Sequence, residues 1–145
     1  MILTTLEDYA IKVLLYLSLK KGHRATVHEI AHNNNVSFPY ILRICAKLRE
    51  KGILVSEKGR NGGYQLSKDP SKITLKDIIN AVNRQSIEIK CVYSKKGGKC
   101  KPQECISFNS LLFLKSEIDH LLENITLKDL VERRDFYANY SDTSN

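Results

Sequence analysis

Three of the chain's four cysteines, Cys91, Cys100 and Cys105, share the short basic segment CVYSKKGGKCKPQEC. Their C-x8-C-x4-C spacing lacks the close C-x2-C pairs of zinc knuckles and ribbons. Lys95, Lys96, Lys99 and Lys101 surround them. Cationic neighbours favour the thiolate, which is the form that binds metal and the form that oxidises. Three chemistries are therefore open. Zinc would accept the soft thiolates, an iron–sulfur cluster would need a fourth, non-cysteine ligand and carry a labile corner there, and two thiols could join as a disulfide. Cys45 stands apart on the apolar face of a helical stretch and reads as a small buried hydrophobe. His23, His28, His32 and His120 keep no ligand spacing to the cysteines and read as surface residues.

A second constellation is electrostatic. Between Ser37 and Lys68 lie Arg43, Lys47, Arg49, Lys51, Lys58, Arg60 and Lys68, against only Glu50 and Glu57. Arg43 and Lys47 are one helical turn apart and, beside Ser37 and Tyr40, are candidate major-groove contacts. The run GRNGG follows Lys58, so Lys58, Arg60 and Asn61 are candidates on a flexible tip. There glycines permit close approach to phosphate and Arg60 can enter a narrow minor groove.

These residues need elements to carry them. Ile2 to Leu19 repeats apolar residues at helical spacing through Leu6, Ala10, Val13, Leu14 and Leu17. Thr26 followed by Glu29 is a capping box, predicting a short helix from Val27 to Asn33 and a turn at Asn33-Asn34-Asn35. Ser37 and Pro39 open a third helix whose apolar face is Ile41, Ile44, Cys45 and Leu48. A strand from Ile53, a glycine-rich loop and a second strand around Tyr64 to Leu66 complete a β-hairpin. Helix, turn, helix and hairpin in this order is the winged-helix plan, so the fold class is mainly α. A fourth helix runs from about Leu75 to Arg84. A long helix from Ser107 to about Leu122 carries Leu111, Leu112, Leu114, Ile118, Leu121 and Leu122, a broad apolar surface that calls for a partner helix. A short helix follows Thr126. ITLKDI (73–78) and ITLKDL (125–130) nearly repeat and read as two Thr-capped helix starts. The expected organisation is a winged helix-turn-helix unit over 1–84, a cysteine loop over 85–106, dimerisation and C-terminal helices over 107–135, and a loose tail over 136–145.

At 145 residues, with 42% hydrophobic content and a formal charge of +7, the chain can bury a core and attract a polyanion. No apolar run has the length of a membrane span. The N-terminus lacks a basic n-region, so the expected location is the cytoplasm, where structural disulfides are rare. No base–nucleophile pair or phosphate-binding loop points to an enzyme; GRNGG lacks the strand-to-helix context such a loop requires.

From MILTTLEDYA through KGRNGGYQLSKDPSKITLKDII to NITLKDLVE, the chain resembles the Rrf-type bacterial winged-helix regulators, the group containing IscR, NsrR, RirA and CymR. The resemblance implies a homodimer whose long C-terminal helices pair, two winged helices on double-stranded operator DNA, and an iron–sulfur cluster on Cys91, Cys100 and Cys105. NsrR-like members carry an aspartate at the position of Asp8 that ligates a four-iron cluster across the dimer; a two-iron cluster is the other option. GRNGG is also nearer the NsrR and RirA wings. Phe108 occupies the position of the histidine that IscR-like members use, three residues after the last cysteine. Leu42 stands where IscR has a DNA-reading glutamate, and Lys58 replaces the usual wing arginine. The resemblance thus implies a transcription repressor sensing nitric oxide or iron–sulfur and redox status. Its rival is a metal-free thiol-switch or cysteine-metabolism regulator that also docks on a partner enzyme.

Overall fold

A computed structural model of the protein describes residues 4–83 and 105–134. Cys91, Cys100 and the expected loose tail lie outside the described residues. The first helix, α1 (Thr5–Leu19), buries Ala10, Val13, Leu14 and Leu17 along the predicted stripe. Its Glu7 is the one charged side chain buried among the described residues, at 4% exposure. Burying a carboxylate requires partners, and it has two. The Thr4 N–H donates to Oε2 at 2.6 Å, and Asn83 Nδ2 donates to Oε1 at 3.1 Å.

A tight turn at Lys21–His23, with Gly22 at φ 73°, leads into a strand that the sequence did not announce, β1 (Arg24–Ala25). Two residues are too few to show a period. Next, α2 (Val27–Asn34) carries the predicted capping box: Thr26 Oγ1 accepts from the Glu29 N–H at 3.2 Å and Glu29 Oε2 from the Thr26 N–H at 2.7 Å. The helix runs one residue further than expected, and Asn35 alone takes the left-handed conformation that ends it. After α3 (Phe38–Glu50) come β2 (Leu54–Glu57) and β3 (Gly63–Leu66). Ser37 occupies the N-cap position of α3, but its hydroxyl makes no capping bond. The sheet is antiparallel in the order β1-β3-β2, pairing Ala25 with Tyr64 and Glu57 with Gly63.

The remaining helices are α4 (Leu75–Val82), α5 (Phe108–Asn124) and α6 (Leu127–Glu132). α1 packs against α3, α4 and α6, and α4 packs against α5. One core therefore joins the helix-turn-helix half to the C-terminal half, through Ile30, Ile41, Ile44, Leu48, Ile73, Ile78 and Leu127. The two near-identical hexapeptides meet there. Thr74 bridges Thr126 antiparallel, the Leu75 N–H donates to the Ile125 carbonyl, and the Leu127 N–H donates to the Ile73 carbonyl, both at 2.8 Å. Each threonine also caps its own helix, with Asp77 and Asp129 as the reciprocal carboxylates. The repeat is explained by one local environment met twice.

Candidate nucleic-acid interface

Burial decides which way α3 faces. Ile41, Ile44, Cys45 and Leu48 are fully buried, and the surrounding core pushes the Cys45 thiol up to about 12, so it stays a neutral thiol. The opposite face is then fixed: Pro39, Leu42, Arg43 and Glu50 are exposed. Ser37 is exposed at the helix start. Of the four residues predicted to reach DNA from this part of the chain, Ser37 and Arg43 thus stand free on the surface.

Tyr40 and Lys47 sit on a flank of α3, half-buried. The Tyr40 ring meets Tyr9 of α1 edge to face, with centroids 5.7 Å apart and planes at 85°. Lys47 Nζ donates to the Val82 carbonyl at the end of α4, at 3.1 Å. On the other flank, Phe38 stacks at 34° on His28 of α2, ring centroids 4.5 Å apart. Leu42, outside the sequence-derived contact set, is 42% exposed beside Arg43. The signal that finds it is the helix period itself, since Leu42 falls off the stripe of buried positions.

The hairpin places Lys58, Arg60 and Asn61 together on exposed backbone between β2 and β3. Its glycines have structural work. A Cβ at Gly63 would collide with the Ala25 carbonyl of β1, and one at Gly62 would lie 2.5 Å from the Glu57 carbonyl oxygen. At these two glycines the close approach is to the protein's own backbone, whereas a Cβ at Gly59 would meet nothing within 4 Å. Arg24, unremarked in the sequence, braces the tip: Nη2 donates to the Asn61 carbonyl and pairs with Glu57 Oε2, each at 2.8 Å. Its partners lie more than thirty residues away, so no local pattern reveals it. Among the described residues, ion pairs take up Lys12, Lys20, Arg24, Lys76, Lys115 and Lys128. Arg43, Lys58 and Arg60 enter none, and all three are exposed.

Of the proposed metal ligands, Cys105 and Asp8 are described. Cys105 is half-buried just before α5, with Sγ 3.3 Å from Ser107 Oγ. Asp8 is half-buried in the first turns of α1 and pairs with Lys12 at 2.7 Å. That bond raises the Lys12 pKa above its ordinary value. Among the described residues, no three Cys, His, Asp or Glu side chains gather around a common point. α5 packs on α4, buries Leu122 and leaves Leu112, Phe113, Leu114 and Leu121 exposed. No helix among the described residues is long and apolar enough to cross a membrane.

Comparison with known proteins agrees with this geometry. A family model named Rrf2 and described as an iron-dependent transcriptional regulator matches residues 3–133. The regulator NsrR of Shouchella clausii is 27% identical over 135 residues, covering 92% of this chain and 90% of that one. IscR of Escherichia coli O1:K1 is 29% identical over 134 residues, covering 92% and 82%. The solved structure of CymR, the global cysteine regulator of Bacillus subtilis, superposes with a TM-score of 0.72 at 24% identity, covering 91% and 97%. The winged-helix fold is thereby shared, and these relatives are transcriptional regulators.

Proposed function

This chain belongs to the Rrf2 family of transcriptional regulators, and from that premise we propose that it is a homodimeric, cytoplasmic repressor. It binds operator DNA through α3 and the β2–β3 wing and responds to nitric oxide or to iron–sulfur status. The observation that carries the DNA reading is that Arg43, Lys58 and Arg60, on a recognition helix and its wing, are exposed and enter no ion pair among the described residues, as Arg49 on the same helix also does not. Such charges release condensed counterions from the duplex, so affinity falls steeply with salt. Dimerisation is supported by the exposed apolar side chains along α5, which a soluble monomer has no reason to present together.

The residues that would hold an iron–sulfur cluster are Cys91, Cys100 and Cys105, with Asp8 supplied by a second copy of the chain. Three thiolates suit cluster iron, and the family's description as iron-dependent supports a metal there. Held by these residues, a cluster would supply redox-sensitive iron, and the Asp8 carboxylate, a weaker ligand than thiolate, would leave that side open to nitric oxide or oxidants. Asp8 must release Lys12 to serve as that ligand. Cys45, buried with its thiol held neutral, takes no part.

Anaerobic purification with absorption spectroscopy and metal analysis tests the sensor. The expected protein is coloured and contains iron and sulfide, and Asp8→Ala makes the cluster less stable. A colourless protein with stoichiometric zinc overturns the cluster. Peroxide-dependent DNA release by iron-free protein, with a mapped Cys–Cys bond, assigns it to the thiol-switch rival.

A further inference from the structure

Lys47 lies among the basic residues of the recognition helix, and its charge invites a phosphate contact. We propose instead that Lys47 is a positioning residue that fixes the roll of α3 by docking its ammonium on the C-terminus of α4. The inference rests on the DNA-binding reading for its consequence and on the fold alone for its geometry.

The last turn of a helix presents carbonyls without intrahelical partners and carries partial negative charge, which a cation stabilises. α4 has no basic residue in its own last turn. Lys47 of α3 fills that role from another element, with Nζ 3.1 Å from the Val82 carbonyl. Seven residues earlier, on the same flank of α3, Tyr40 packs edge-on against Tyr9 of α1. Two anchors two turns apart, one on α1 and one on α4, resist rotation of α3 about its axis. A roll of about 20° carries a side-chain tip 5–6 Å from that axis through about 2 Å, enough to break a hydrogen bond to a base edge. The neighbouring Asn83 is held in turn by Glu7, whose other oxygen takes the Thr4 N–H. The end of α4 is therefore a fixed point, and Lys47 ties the recognition helix to it.

The test uses the full-length protein, fluorescence anisotropy, and two duplexes: one selected from a random pool and its scrambled counterpart. Lys47→Met is expected to lower the ratio of selected to scrambled affinity about tenfold, with the salt dependence on the scrambled duplex unchanged. Lys47→Gln keeps a donor for the Val82 carbonyl without the charge, and is expected to hold the ratio within about twofold of the parent. A salt slope shallower by about 0.9 in both variants, the loss of one phosphate contact, with equal weakening on both duplexes, would overturn the proposal. An unchanged ratio in Lys47→Met would do the same. Should Lys47→Met not fold, Lys47→Gln alone separates the two roles, because a phosphate contact loses its slope and a positioning bond does not. Amide exchange without DNA supplies the independent arm: faster exchange at Asn83, whose N–H closes the last turn on Ile79, is expected in Lys47→Met. If the parent protein shows no salt-dependent DNA affinity, the DNA reading fails while the exchange result still decides the docking.

Discussion

A leucine 42% exposed beside an arginine on the outward face of α3 needs a chemical partner if that face enters a major groove. The C5-methyl of thymine is the apolar group a base edge offers there. On the proposed function, replacing one contacted thymine by uracil in a selected duplex removes only that methyl and is expected to weaken binding by about 0.8 kcal/mol. Leu42→Ala should abolish the difference between the two duplexes, measured by anisotropy in the same salt; a uracil penalty that persists in Leu42→Ala would remove Leu42 from the contact. Cys45 offers a test of the core. Its unfolded thiol ionises near pH 8.5, whereas burial raises the folded value to about 12. A raised folded pKa contributes stability that is complete below the unfolded value and is lost as pH climbs towards 12. The urea midpoint should therefore fall between these limits, and the fall should be smaller in Cys45→Ala. Single residues were legible in the sequence where one dominant force acts, as burial does on Cys45. Tyr40 and Lys47 were placed on the right helix, but the period that marks a buried stripe says nothing about which neighbour packs on its flank.

At the scale of elements, the capping boxes at Thr26, Thr74 and Thr126 made helix starts readable, because a Thr and an acidic residue three positions on satisfy backbone groups locally. β1 was not readable, since its meaning lies in pairing with β3, forty residues away. That pairing changes what the wing glycines are for. Gly63→Ala is expected to destabilise the domain by about 2 kcal/mol or more, since the new methyl would meet the Ala25 carbonyl in an already packed sheet. Chemical denaturation checks it, and a wild-type midpoint would mean that β1 yields freely. Arg24→Met acts on the same element more gently, freeing the Asn61 carbonyl and Glu57 at a largely exposed site.

For the whole molecule, the winged-helix order and the broad apolar surface of α5 both follow from hydrophobic period, which is why both are legible in the sequence. Phe113→Asp combined with Leu121→Asp is expected to give a monomer by light scattering with helix content retained, because both side chains already face solvent, at 66% and 58% exposure. A dimer that survives the pair would move the interface elsewhere. The location of the cysteine chemistry was legible only as a cluster of residue types, since Cys91 and Cys100 lie outside the described residues and, on the proposed function, Asp8 would come from a second chain. The paired ITLKD segments bear on how the proposed sensor would be installed. Their two 2.8 Å hydrogen bonds join Leu75 to Ile125 and Leu127 to Ile73, shutting a circuit of some fifty residues whose two ends are held side by side. Lengthening a closed circuit costs little, about 0.6 kcal/mol for each doubling. On the proposed function the clasp would therefore act as a socket: a segment of different length between α4 and α5 is expected to leave the paired Ile73–Leu75 and Ile125–Leu127 backbones joined.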